Sequence, residues 1–520
     1  MKGNIEYRIR DKIVKKEITY IPVRYVFAVI ITVLEILTIL AIMVGLCIYV
    51  PYFYLATFLT EIFCVINIVA SDSNPDYKIP WMLFVLILPI VGFMLYFLFY
   101  SRKLKKRYIK RLNALKEFSY DFDDELSFQN LKRHSTIYSS HAKTLCALSG
   151  AHLFENTAVK YFSTGESMFE SMMVDLKTAQ KFIYLEYFIV EEGKMWNSIL
   201  DILIKKAKNG VEIKFVYDDI GCMTTLPGDY YKRLKKHGIE ATPFSRLKGN
   251  ADSEFNNRNH RKILVIDGKV GYTGGINIAD EYINAKVKHG HWKDGGIRLE
   301  GQAVKELTQL FIVDFGINTK ALPNTDCELY PNHKVQSDGF VLPFGDGPRP
   351  LYNRCVGKTA IQNMLSTATR YVYITTPYLV IDNELCCSIE NAALRGVEVK
   401  IIVPHIPDKK MVFGITRSYY PRLMDAGVKI YEYEIGFIHC KNYISDDVCA
   451  MVGTINLDYR SLVHHFENGV WLYGSSAIKD MKSDFNATLK KCFRVDRGMI
   501  KVSVWQRLIR SVVRIFAPLL

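Results

Sequence analysis

Residues 259–277 read "NHRKILVIDGKVGYTGGIN", a stretch in which charged side chains lead directly into a buried strand. Ile263 to Ile266 is an apolar, mainly β-branched run of the kind found in a buried sheet. Asp267-Gly268 is a hairpin turn signal, and Val270 to Thr273 returns as the second strand. Side chains alternate along an extended chain, so His260 and Lys262 stand on one side at the start of the hairpin. Gly274-Gly275 permits a close backbone approach and leaves Asn277 at the far end.

The pattern occurs twice. In "FIHCKNYISDDVCAMVGTIN" (437–456), His439, Lys441 and Asp446 repeat the spacing of His260, Lys262 and Asp267. Each Asp is followed at equal distances by a glycine, Gly274 or Gly453, and an asparagine, Asn277 or Asn456. His141 also has a lysine two residues on, Lys143, but Leu148 occupies the Asp position and no Gly and Asn follow. The repeat extends upstream. "AQKFIYLEYFI" (179–189) parallels "ATRYVYITTPY" (368–378), and "NGVEIKFVYDD" (209–219) parallels "RGVEVKIIVPH" (395–405). "HGIEATPFS" (237–245) parallels "AGVKIYEYE" (426–434). Alternating strands and helices predict an α/β fold of two lobes related by pseudo-twofold symmetry, each a mainly parallel sheet covered by helices. Such a pairing places both histidines in one cleft.

The paired His-x-Lys-x4-Asp-x6-Gly-x-x-Asn motifs resemble the phospholipase D superfamily. "GGINIADEY" (274–282), together with the apolar N-terminal runs, is similar to the bacterial cardiolipin synthases within it. The resemblance covers nearly the whole chain beyond the first twenty or so residues. Gly275 departs from it: many members carry Ser or Thr there, as Thr454 does in the second copy, so one phosphate hydrogen bond is in question.

A phosphodiester reacts slowly, and two histidines allow its transfer in two steps. A neutral imidazole attacks phosphorus while a protonated one donates to the leaving alkoxide, and the roles then exchange. Lys262, Lys441, Asn277 and Asn456 would bind the non-bridging oxygens. This chemistry needs no metal and no cofactor. The resemblance assigns Asp294 in "HWKDGGIRLEG" and Glu467 in "HHFENGVW" to orienting the histidines. Asp267 and Asp446 belong to the catalytic motifs, although their place at hairpin turns reads as structural. The symmetric pair does not say which histidine is the nucleophile; the family's habit points to His260. The resemblance implies a cardiolipin synthase activity, in which one phosphatidylglycerol donates its phosphatidyl group to another through a phosphohistidine. A phospholipase D-type hydrolase would use the same residues with water as acceptor, and other phosphatidyl acceptors stay open. A non-catalytic lipid-binding scaffold would have no use for two intact motifs.

The chain of 520 residues carries a net charge of +14, with no basic-aromatic run suited to nucleic acid. Anionic lipid is the partner that such a charge favours on a membrane protein. Residues 25–50, 52–70 and 81–100 are apolar and read as three crossings of a bacterial cell membrane. Three crossings put the basic flanks, 1–24 and "RKLKKRYIKR" (102–111), on opposite faces, so the positive-inside rule contradicts itself. Nine cysteines outside the anchor, among them Cys386-Cys387 and Cys440 inside a motif, favour a reducing compartment and hence cytoplasmic lobes. The expected segments are a basic stretch to 24, an anchor over 25–100, a basic linker over 101–155, lobes over 156–325 and 326–500, and a tail over 501–520. In that tail Trp505, Leu508, Ile509, Val512 and Phe516 recur at helical spacing with Arg507, Arg510 and Arg514 on another face. The pattern suits either an anionic bilayer surface or packing on the chain's own lobe.

Overall fold

The computed structural model describes residues 23–100, 106–115, 119–246, 257–319, 328–349, 351–500, 504–515 and 517. Each lobe is built on one sheet. In the first, Phe182–Tyr187, Glu212–Asp218 and Glu240–Phe244 run parallel, linked through helices such as Lys194–Lys208. In the second, Tyr371–Thr375, Glu398–Pro404 and Lys429–Tyr433 repeat that arrangement. The motif hairpins then extend each sheet in the antiparallel sense: Ile263–Ile266 pairs with Phe182–Tyr187, and Asn442–Ser445 with Tyr371–Thr375. The sheets are therefore mixed, which corrects the expected mainly parallel lobes. A parallel pair needs a long crossover, whereas a tight turn such as Asp267-Gly268 can only reverse the chain.

Burial explains the apolar runs. Ile263 and Val265 face a core shared by the two lobes, while Leu264 and Ile266 face the first lobe's own helices. The shared core also takes Val341, Tyr373 and Val452 from the second lobe, so the sheets are cemented to each other. The helices Val304–Asn318 and Ala477–Leu489 both contribute to it. The expected linker is more than a linker. Its helices Glu125–His134 and Thr136–Ser149 place Phe128, Leu131, Ala142 and Leu145 in the core of the second lobe.

At the N-terminus, Val23–Tyr49 and Pro51–Ala70 are continuous helices. Among the described residues, Pro51–Ala70 is the one helix long and apolar enough to cross a membrane by composition; in Val23–Tyr49 the counted apolar stretch is Val33–Leu46. The third run forms no single helix. It divides at Leu88 into Pro75–Ile87, Pro89–Leu95 and the wider turn Tyr96–Tyr100, and Pro89 accounts for the break. Three straight crossings are thus not what the chain builds. The tail forms a helix over Val504–Ile515. The basic stretch 1–22, Arg102 to Lys105, Phe516, and the side chains of Arg507, Ile509 and Arg510 lie outside the described residues.

The two motif aspartates are turn clamps. Asp267 accepts from the backbone N–H groups of Gln180, Lys181 and Phe182, and Asp446 from those of Thr369, Arg370 and Tyr371. Both take positive φ, 52° and 54°, and the next residue does too: Gly268 at 65° and Asp447 at 66°. That is the left-handed pair which a two-residue hairpin turn requires. Asp267→Ala or Asp446→Ala leaves three backbone donors without their acceptor, and the buried one among them, Phe182 or Tyr371 N–H, costs about 1–3 kcal/mol. A lowered midpoint in thermal unfolding is the expected outcome for each, with the largest loss in the double variant.

Candidate active site

His260 and His439 each occupy the short extended segment that leads into a motif hairpin, and each is tied to the opposite lobe. His260 donates its backbone N–H to Phe466 O at 2.9 Å, and its Nδ1 lies 2.9 and 3.0 Å from the two carboxylate oxygens of Glu467. His439 donates its N–H to Lys293 O at 2.7 Å, and its Nδ1 lies 2.7 Å from Asp294 Oδ2. The pseudo-twofold relation is exact down to chain order: in both cases the carbonyl belongs to the residue just before the acid. Pairing of Gly436–Ile438 with His291–Lys293, and a bridge between Asn259 and Phe466, carry backbone pairing across the lobe boundary. Each Nδ1 is thereby engaged, which leaves Nε2 of His260 for chemistry, while Nε2 of His439 has Lys441 Nζ beside it.

The two dyads differ in charge. Burial pushes the Glu467 carboxyl up to about 8, against Lys262 and the hydroxyls of Thr454 and Ser461. Burial would also raise Asp294, but His439, Lys441 and the Gly295 N–H outweigh it and hold that carboxyl below its ordinary value. Burial holds His260 well below the usual imidazole range, helped by Lys262, His465 and Lys441. His439 is pushed down to about 4 by burial and Lys441, with Asp294 pulling the other way. Burial also lowers Lys441 to about 8 and drops Lys262 well below its ordinary value. Anionic phosphate is what such a pocket lacks to balance it.

The remaining motif residues separate by role. Lys262 Nζ donates to His260 O at 2.6 Å, and Lys441 Nζ lies 3.0 Å from both ring nitrogens of His439. Asn277 accepts from Ile189 N–H and donates to Tyr282 OH, which leaves one amide proton for a ligand. Asn456 Oδ1 is buried without a partner. Asp267 and Asp446 bond to neither imidazole. At the departure from the family pattern, the Thr454 hydroxyl donates to Glu467, and a Cβ on Gly275 would stand 2.1 Å from Asp294 Oδ1. Gly275 therefore forgoes a bond to an acid, not to phosphate. His260, His465 and Glu467 bring donor atoms within 4.8 Å of one another, the one such group among the described residues. Lys262 and Lys441 face the same space, and their charges oppose a dication there.

Two segments, 172–295 and 361–489, match the family described as "Cardiolipin synthase, PLD-like domain", and 62–99 match a phospholipase D-nuclease N-terminal family. A cardiolipin synthase of Alkalihalophilus pseudofirmus is 33% identical over 89% of this chain and 92% of its own. The chain belongs to the cardiolipin synthase family of phospholipase D-like proteins. Another member, from Geobacillus kaustophilus, is 34% identical over 88% of this chain and 92% of its own length. An uncharacterised protein of Streptococcus mutans is 42% identical over 88% of this chain and 99% of its own. The crystal structure of phosphatidylserine synthase from Haemophilus influenzae superimposes with a TM-score of 0.56 at 14% identity, covering 73% of this chain and 97% of that one. It shares the fold.

Several residues around this family site escape a reading of the sequence. His465 is buried 5.6 Å from the His260 ring, with Nε2 unpartnered. Ser461 donates to Glu467 at 2.7 Å, and Phe188, Tyr282 and Trp292 wall the two imidazoles. The doublet His464-His465 beside Glu467 is the only local signal, and it has no counterpart in the first motif. Beneath the site, Asn259 bonds Glu186 and Asp314, while Arg261 bonds Asp314 at 2.7 Å and Glu467 O at 3.0 Å. The crossed pairing makes a direct prediction for double-mutant cycles of unfolding. Asp294→Ala with His439→Ala should couple by about 0.5–3 kcal/mol, while Asp294→Ala with His260→Ala stays near additive. The reverse pattern would contradict the crossed dyads.

Proposed function

We propose that the chain is a phosphatidyltransferase that joins two phosphatidylglycerol molecules into cardiolipin and releases glycerol. One observation carries the reading: two buried imidazoles in one cleft, each held at Nδ1 by an acid from the other lobe, with a lysine beside each. Nε2 of His260 attacks phosphorus, the bond to the glycerol oxygen breaks, and His439 gives that oxygen its proton. His439 then takes the proton of a free hydroxyl on the second phosphatidylglycerol. The new oxygen bonds to phosphorus as the bond to His260 Nε2 breaks. Lys262, Lys441, Asn277 and Asn456 hold the non-bridging oxygens throughout.

The assignment of roles rests on the unequal acids. Asp294, held in its charged form, supports an imidazolium at His439, which suits the acid. Glu467, raised by burial, does not offset the burial, Lys262 and His465 that keep the His260 imidazole neutral, as a nucleophile must be. Entry of the anionic phosphodiester raises the imidazoles again, so one can carry a proton near neutrality. Anionic lipid, not nucleic acid, is the partner that this basic membrane chain fits.

The site of action is the bacterial cell membrane, with the lobes on the cytoplasmic side. Pro51–Ala70, the one described helix long and apolar enough to span, is the anchor in that membrane.

Purified protein given phosphatidylglycerol alone should yield cardiolipin and glycerol; phosphatidic acid as the sole product would identify a hydrolase instead. His260→Ala and His439→Ala should each lose turnover by about a thousandfold or more. A substrate with a better leaving group should partly restore His439→Ala and leave His260→Ala inactive, and rescue confined to the 260 variant would reverse the roles. Saturating chelator should leave the rate of transfer unchanged. Loss restored by one specific divalent ion, with lipid packing controlled, would refute the metal-free chemistry.

A further inference from the structure

The third apolar run leaves the anchor and fastens to the second lobe. Asp76 Oδ2 accepts from Tyr459 OH at 3.0 Å and from Asn383 N–H at 2.8 Å, and Asn74 donates to Asp382 at 2.7 Å. The Tyr77 ring lies 5.7 Å from that of His464. Tyr77, Trp81 and Val85 share a small core with Cys64 and Ile68 of the preceding helix. The opposite side of the run is bare: Leu86 is 59% exposed, Ile87 68% and Phe97 57%. The C-terminal helix Val504–Ile515 packs beside Pro75–Ile87 and on Lys410–Asp425, with the Arg514 guanidinium 4.3 Å above the Tyr419 ring. It too turns apolar side chains outward, with Trp505 74% exposed and Leu508 and Val512 half bare.

We infer that the run over 75–100 and the C-terminal helix together form a bilayer-docking surface that rests in the interfacial layer beside the mouth of the active site. The occupant is the lipid surface, because only Ser71–Asn74 separate this run from Pro51–Ala70. Four residues reach at most about 14 Å, and Tyr77, Trp81 and Val85 pack on Cys64 and Ile68, so the run stays beside the helix that enters the membrane. A Trp at the rim of a basic amphipathic helix suits the headgroup layer. The surface adjoins the turn Arg460–His464, which carries Ser461 and leads to His465 and Glu467. Docking therefore presents the cleft to the leaflet that holds its substrate. The inference rests on the membrane reading above and not on the transfer reaction.

Fluorescence quenching tests it without any need for turnover. The full chain is placed in phosphatidylglycerol vesicles with lipids brominated near the headgroup, at mid-chain or at the chain end. Trp505 should be quenched most by the shallow bromines, and Trp505→Phe should lose most of that signal. Ile87→Trp, in the Trp505→Phe background, should also report a shallow depth. Ile87 stands near the middle of the run, so strongest quenching by the deep bromines would mean insertion into the bilayer core, crossing or re-entrant, and overturn the inference. Quenching by aqueous iodide but not by lipid, at either position, would overturn it as well and point to a protein partner. In every one of these outcomes the phosphatidylglycerol assay still decides the chemistry on its own.

Discussion

The exchange of acids between the lobes is the constraint on which this protein depends. Glu467 holds His260 and Asp294 holds His439, so neither lobe contains a complete histidine–acid pair. A buried histidine with an unfilled Nδ1, or a buried carboxylate without its partner, is costly in an apolar interior. Separating the lobes would expose all four groups at once. The shared core between the sheets and the Arg261 contacts to Asp314 and Glu467 O keep that from happening. Cohesion of the fold and competence of the site are one requirement.

Near-perfect backbone symmetry at the dyads coexists with chemical asymmetry. Thr454 and Ser461 place hydroxyls on Glu467, whereas Gly275 leaves Asp294 to His439 and a single backbone N–H. Burial still raises Glu467 past those hydroxyls, whereas His439, Lys441 and the Gly295 N–H more than offset it at Asp294, so two acids of similar burial stand on opposite sides of their ordinary values. A reaction that needs one imidazole as nucleophile and the other as acid benefits from a pair that is not electrostatically equivalent. The third imidazole, His465, adds to the difference, since it lies beside His260 only.

The N-terminal region shows how tertiary contacts override hydropathy. By composition alone, 81–100 is as apolar as a span, yet Pro89 breaks it and Asp76, Tyr77 and Trp81 find partners on the catalytic lobe and the neighbouring helix. A segment that satisfies its polar groups against protein need not cross lipid, even when its outer face is greasy. Similarly, the stretch over 101–155 reads as a basic linker, yet its helices complete the core of the second lobe. The basic residues that dominate such a segment say nothing of the few apolar ones that are buried.

The repeated His-x-Lys-x4-Asp-x6-Gly-x-x-Asn spacing determined the two lobes and the hairpins, because periodicity along a strand and the residues of a tight turn are local properties. The same locality made Asp267 and Asp446 legible as turn residues, and they are clamps. The orienting acids Asp294 and Glu467 were legible through the family resemblance, although they lie 34 and 28 residues after their motif histidines. Their partners were not. Sequence order invites the pairing of each acid with the histidine before it, and only the packing of one lobe on the other crosses them. The sense of the sheets, the docking of the third apolar run and the place of His465 were decided at the same level. Each depends on which surfaces meet across hundreds of residues, and no local pattern in the chain encodes that distance.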